Sequence, residues 1–156
     1  MRCKMQVKEI GHVVFFVRNL AQSVHFYRDI LGFKPIEADI KGAPVMAFAS
    51  PTGRTHHELL LIEVGPNVPP VSQGRRAGLY HIGLKIGDSL DELRAAKAEL
   101  EAAGVHLTGQ SDHHVSKSLY LLDPDGNEIE LYIDVAEVDW RNNPAAVIAP
   151  TKPLYL

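Results

Sequence analysis

The 156-residue chain has a single cysteine, Cys3, so no disulfide can form within it. That composition suits a reducing compartment, and a cytoplasmic protein is the expectation. No apolar run approaches the roughly 20 residues that span a bilayer, and the first residues lack the apolar stretch and small-residue cleavage site of a signal peptide. A basic face is missing as well. The formal net charge is −3, whereas a nucleic-acid partner demands clustered lysine and arginine. Basic pairs such as Arg75-Arg76 are isolated and read as solvated loop charge. Aromatic residues make up only 7%, but hydrophobic content is 46%, enough for one domain to bury its own core.

What the chain has in excess is histidine, eight in all: 12, 25, 56, 57, 81, 106, 113 and 114. Histidine is the commonest metal ligand and the usual proton carrier near neutral pH. Position must decide which of the eight do either.

The order of elements is written twice. His12-Val-Val-Phe-Phe-Val17 is β-branched and aromatic, as a buried strand is. Asn19 can cap a helix whose Leu20, Val24, Tyr27 and Leu31 fall at helical spacing, and Gly32 supplies a left-handed stop. Extended segments follow, broken by Gly42, Pro44 and the turn at 50–54, and His56–Val64 closes the copy as a strand. From His81 the order returns. His81–Ile86 reads as a strand, and Ser89-Leu-Asp-Glu92 as a capping box. Leu90, Leu93, Ala96, Leu100 and Ala103 make an apolar stripe, Gly104 is the stop, and Glu128–Ile133 is the closing strand after Asp123-Pro-Asp-Gly-Asn127. Gly32 to Glu58 and Gly104 to Glu130 are each 26 residues apart; His12 to Gly32 is 20 and His81 to Gly104 is 23, one helical turn more.

A repeat of this length means a duplicated structural unit. The expected fold is α+β: two tandem βαβββ modules forming one cup-shaped mixed-sheet domain. Module one is 9–64, the connector 65–78, module two 79–134, and 135–156 is a tail with little periodicity. Pro66–Arg76 is expected to form a flexible rim. Exposed sheet edges predict a homodimer.

The repeat places His12 and His81 at equivalent strand starts, and Glu130 lies between the apolar Ile129 and Leu131, where a carboxylate is costly to bury alone. Two imidazoles and one carboxylate would hold one face of a metal and leave up to three positions open, as in non-haem Fe(II) oxygenases. Mn(II), Zn(II), Ni(II) and Co(II) also suit these donors.

Residues 9–134 resemble the vicinal-oxygen-chelate superfamily: glyoxalases, epimerases, fosfomycin and bleomycin resistance proteins, and type I extradiol dioxygenases. The segments that carry the likeness are Gly11–Val17, Phe26-Tyr-Arg-Asp-Ile-Leu-Gly-Phe33, His81-Ile-Gly-Leu84 and Asp123–Leu131. The resemblance implies the ligand set His12, His81 and Glu130. Arg54-Thr-His-His-Glu-Leu-Leu-Leu61 is similar to the dioxygenase strand that supplies a second-sphere acid/base, which would be His57. Ser111-Asp-His-His-Val-Ser-Lys-Ser-Leu-Tyr120 is similar to the pair facing the substrate, His113 and Tyr120. The resemblance thus implies Fe(II)-dependent extradiol cleavage of a catechol-type diol with O2, His57 serving the oxygen side and His113 and Tyr120 the substrate side. The larger dioxygenases carry four modules, this chain one pair.

Two other readings compete. Counting from Gly32 and Gly104 sets Glu58 opposite Glu130, a two-histidine, two-glutamate site like that of glyoxalase I or an epimerase. Counting from the turn glycines Gly53 and Gly126 instead sets His57 opposite Glu130, with Glu58 pointing away. A metal-free protein that sequesters a drug is the third reading. His25 is expected on an exposed helix flank, His106 at a strand start, and His56 and His114 as neighbours of the functional histidines.

Overall fold

The computed structural model describes residues 5–36 and 42–156, so Cys3 lies outside the described residues. The chain divides into two compact units, Met1–Pro70 and Val71–Leu156, with the division inside the connector.

In the first unit, strand β1 (Val13–Val17) leads into helix α1 (Leu20–Val24) and a π-helical turn (His25–Ile30), then β2 (Lys34–Pro35), β3 (Val45–Ala49) and β4 (Leu59–Glu63). The sheet order is β1-β4-β3-β2, with β1 parallel to β4 and the other pairs antiparallel. A parallel pair needs a crossover, and the helix provides it. Asn19 caps the helix by accepting from the Gln22 amide at 3.0 Å, and Glu63 accepts from the Leu20 amide at 2.6 Å, tying the helix to β4. The π-helical turn inserts an extra residue into the helical phase. Ser23, Phe26 and Tyr27, at i, i+3 and i+4, are buried, while Leu20, Val24 and Leu31 are only partly so. Tyr27 packs edge-on against Phe26 and Phe33 and stacks on Phe15. The closing strand begins at Leu59, later than the sequence suggests, because 51–58 is a turn and loop.

The second unit repeats the order: β5 (His81–Gly87), α2 (Leu90–Ala102), β6 (Leu107–Asp112), β7 (Ser116–Leu122) and β8 (Glu128–Asp134). Its sheet runs β5-β8-β7-β6-β9. The fifth strand, β9 (Lys152–Pro153), comes from the tail, which contributes a 3-10 helix (Pro144–Ile148) and then pairs Pro153 and Lys152 with Ser111 and Asp112. Ser89 and Glu92 form the capping box: Ser89 Oγ accepts from the Glu92 amide, and the Glu92 carboxylate accepts from Ser89 Oγ and the Asp88 amide. Leu93 and Leu100 are buried against the sheet; Leu90 and Ala103, at the ends of the expected stripe, are exposed. Gly32 and Gly104 both take positive φ, the left-handed stops their positions require. The fold is α+β, two mixed sheets each crossed by helix. No described helix is long and apolar enough to cross a membrane.

Alternation fixes what each sheet shows on its two faces. In the second unit Leu119, Leu121, Ile129, Leu131 and Ile133 are buried on one face. The ladder puts His81, Gly83, Ser118, Tyr120, Glu128 and Glu130 on the other.

Candidate functional site

The second unit carries a connected set of polar side chains on that second face. His81 opens β5 and lies between two carboxylates of β8: its Nε2 is 3.1 Å from Glu130 Oε2, its Nδ1 3.3 Å from Glu128 Oε1. The Nδ1–Oε1 pair is not aligned as a hydrogen bond, and both atoms are buried without any such partner. A buried nitrogen and oxygen left in this state are costly. Gly83, the ladder partner of Glu130, keeps the space open: a Cβ there would lie 3.3 Å from Glu130 Oε2.

Glu130 is held from its other side. The fully buried Ser118 donates to Oε1 at 2.6 Å, and Tyr120 donates to the same oxygen at 3.0 Å. Tyr120 OH is 2.6 Å from His113 Nε2, and His113 Nδ1 is 3.2 Å from Thr151 Oγ1. A phenol has one proton, so with Tyr120 donating to Glu130 the short contact requires His113 Nε2–H to donate to the phenol oxygen. His113 Nδ1 then accepts from Thr151. The result is a directed chain of donors from Thr151, just before the tail strand, to Glu130. Burial and the adjacent Glu130 carboxylate push the Tyr120 phenol well above its ordinary value, so it stays protonated and donates throughout the working pH range. His113 sits in the β6–β7 turn, where His114 takes a left-handed φ of 70° and its amide donates to Asp112, itself paired with Lys117. That pairing holds the Asp112 carboxyl below its usual range.

The first unit gathers three imidazoles. The His57 ring is centred 4.3 Å from that of His12 and 4.4 Å from that of His56, and one nitrogen from each of the three lies within 4.8 Å of the others. This cluster could hold a divalent ion. Burial, followed by His12 and His56, lowers the pKa of His57 and keeps its ring neutral. Glu58 is engaged elsewhere: its carboxylate accepts from the Ser50 amide and lies 3.9 Å from Arg54 Nε. His57, then, is the residue beside His12.

The ladders also decide how the two copies correspond. Val13 pairs with Leu59, and Ile82 with Ile129. Superposing His12 on His81 therefore sets Glu58 on Glu128 and Leu60 on Glu130. Neither way of counting from glycines anticipates this. The hairpin from Phe48 to Leu59 is three residues longer than that from Leu121 to Ile129, which moves the register. No second glutamate stands where Glu130 stands.

Of the six residues singled out in the sequence, the structure places His81, Glu130, Tyr120 and His113 in one network and His12 with His57 in the other unit. Ser118, Glu128 and Thr151 were missed, and His56, expected as a neighbour of His57, joins the imidazole cluster. Alternation from Tyr120 and Glu130 would have found Ser118 and Glu128; no local signal marks Thr151. His25 is exposed and paired with Asp29, as its helix flank suggests.

The model of the Glyoxalase/Bleomycin resistance protein/Dioxygenase superfamily matches residues 9–131. The chain belongs to this superfamily. It is 33% identical over 134 residues to a catechol-2,3-dioxygenase of Bacillus subtilis, covering 86% of this chain but only 44% of that protein. It is 28% identical to the metallothiol transferase FosB of Lysinibacillus sphaericus, covering 82% of this chain and 84% of that one. A solved glyoxalase/dioxygenase from Nostoc punctiforme shares the fold, with a TM-score of 0.68, 20% identity and coverage of 86% and 96%. The names of these relatives span dioxygenase, transferase and glyoxalase, so the side chains must choose among them.

Proposed function

We propose that this chain is an Fe(II)-dependent extradiol dioxygenase that opens a catechol-type ring with O2, its metal ligands being His12, His81 and Glu130. The observation that carries the reading is the asymmetry of the repeat. Leu60 holds the position that answers to Glu130, so the donor set is two imidazoles with one carboxylate. A proton-shuttling isomerase calls for a second glutamate there. The donors of the second unit fit a resident cation: His81 Nε2 and Glu130 Oε2 converge, while Glu128 stands at the other imidazole nitrogen, where a carboxylate orients a ligating histidine. Fe(II), when bound, supplies positions for both diol oxygens and O2.

The protein's own part is to place protons. Tyr120, kept protonated, donates to an oxyanion at its hydroxyl or, without substrate, to Glu130. His113 would take up the proton that a diol must lose at Nε2, in the tautomer whose N–H has moved to Nδ1 and faces Thr151 Oγ1. His57, held neutral in the first unit, has a lone pair to accept or pass on a proton on the oxygen side.

The test is anaerobic loading with Fe(II), then catechol and air. Oxygen uptake with a yellow ring-opened product is the expected result. Hemithioacetal isomerisation with Ni(II), Zn(II) or Co(II) and no oxygen uptake would replace this reading with the glyoxalase one. Micromolar drug binding by metal-free protein lacking both activities would make it a sequestering module.

A further inference from the structure

A cavity of about 470 Å³ in the second unit is lined by Ser72, Gln73, Gly74, Arg75, Arg76, Tyr80, Gly126 and Glu128. Its size suits a single-ring ligand. Its outer wall is connector chain, expected from sequence to be a loose rim, yet it is pinned. The Val71 amide donates to Asp125 O at 2.9 Å, and the Gln73 side-chain amide to Gly126 O at 2.8 Å. Gly126 itself has φ +89°, and a Cβ there would lie 2.9 Å from Gln73 Nε2 and 3.3 Å from Val71 O, so a side chain would push the Gln73 amide off its partner. The wall is thus built against the Asp-Pro-Asp-Gly turn that leads into β8.

The lining is rich in donors. Each guanidinium offers five N–H groups and no acceptor, and among the described residues neither Arg75 nor Arg76 has a carboxylate within 4.0 Å. Arginine pairs that lack a carboxylate match oxyanions by forked, charge-assisted hydrogen bonds. Glu128, the one carboxylate in the lining, is turned to His81, 3.3 Å away. Glu128 thus belongs both to the lining of this cavity and to the surroundings of His81 Nδ1.

We infer that Arg75 and Arg76 form an oxyanion-recognition site, so that the ligand of this cavity is a small ring compound carrying a carboxylate or phosphonate. The substrate class this gives, an anionic aromatic diol, rests on the dioxygenase reading; the recognition of the oxyanion does not.

Calorimetric titration of the metal-free protein with benzoate, phenylphosphonate and neutral benzamide separates the two. At least one anion should bind about tenfold more tightly than benzamide, about 1.4 kcal/mol. The advantage should fall below about threefold in the Arg75→Gln/Arg76→Gln double variant, with Arg75→Lys/Arg76→Lys intermediate because charge survives without the fork. The tighter anion identifies the oxyacid. Equal affinities for all three probes, an anion advantage that survives the double Gln variant, or no anion binding at low-millimolar concentration each overturns the inference. Both arginines are exposed, so the replacements leave the core intact, and a circular dichroism spectrum verifies it. A negative oxygen-uptake assay would sink the dioxygenase reading and leave these titrations standing.

Discussion

Replacing Ser118 with alanine probes the geometry around Glu130 with little change in volume. Ser118 is fully buried in β7 and donates to Glu130 Oε1 at 2.6 Å. A hydrogen bond to a charged acceptor contributes about 1.5–3 kcal/mol. Tyr120 still donates to the same oxygen at 3.0 Å, and the carboxylate keeps 14% of its side-chain surface in water. Both soften the loss, so the lower half of the range, about 2 kcal/mol, is expected. For a chain of this length that lowers Tm by about 4–8 °C. The same change frees the carboxylate to rotate, and loss of such a supporting partner weakens metal affinity by about 10–100-fold. Differential scanning calorimetry in the presence of a chelator reads the first effect, and Co(II) titration the second. A Tm shift below about 1 °C together with unchanged Co(II) affinity would refute the claim that Ser118 holds Glu130.

Further expectations follow from other parts of the structure. His57 has a folded-state pKa below its unfolded value of about 6.5. Its contribution to stability is thus present above that pH and lost as the pH falls; metal-free protein should lose Tm between neutral and mildly acidic pH, and His57→Gln should flatten the profile. An NMR titration placing the His57 midpoint above 6.5 would contradict this. Thr151→Val removes the donor to His113 Nδ1. It should lower kcat by about tenfold with KM little changed and restoration by Thr151→Ser, whereas equal losses in both variants would indicate a structural role only. Gly126→Ala combines a left-handed φ with contact against Gln73 and Val71. It should cost about 1–2 kcal/mol of unfolding free energy and abolish the anion preference of the neighbouring cavity.

The repeat was legible because each copy carries its own punctuation. Asn19 and Ser89 cap, Gly32 and Gly104 stop, and the strands between them alternate or run apolar. The repeat singled out His81 and Glu130, and the superfamily resemblance singled out His113 and Tyr120; the ladder of the second unit then sets all four in one network. The exact correspondence of the copies was not legible, because it depends on a hairpin three residues longer in one copy, and loop length leaves no mark in a hydrophobic pattern. The π-helical turn at His25–Ile30 hid behind ordinary helical spacing, because a single widened turn has no apolar period of its own. β9 and Thr151 were invisible because their partners, Ser111, Asp112 and His113, lie some 40 residues away and a two-residue strand has no periodicity to detect. Arg75 and Arg76 looked like surface charge until the pinned connector turned them into the wall of a cavity.

The central claim is that His12, His81 and Glu130 share one cation. Metal content after Fe(II) loading and desalting, measured for the wild type and for His12→Ala, His81→Ala, Glu130→Gln and His56→Ala, tests it directly. One ion per chain is expected in the wild type and His56→Ala, and loss of the ion in each of the other three. Retention of the ion in His81→Ala and Glu130→Gln, with loss in His56→Ala, would assign the metal to the three imidazoles of the first unit and contradict it.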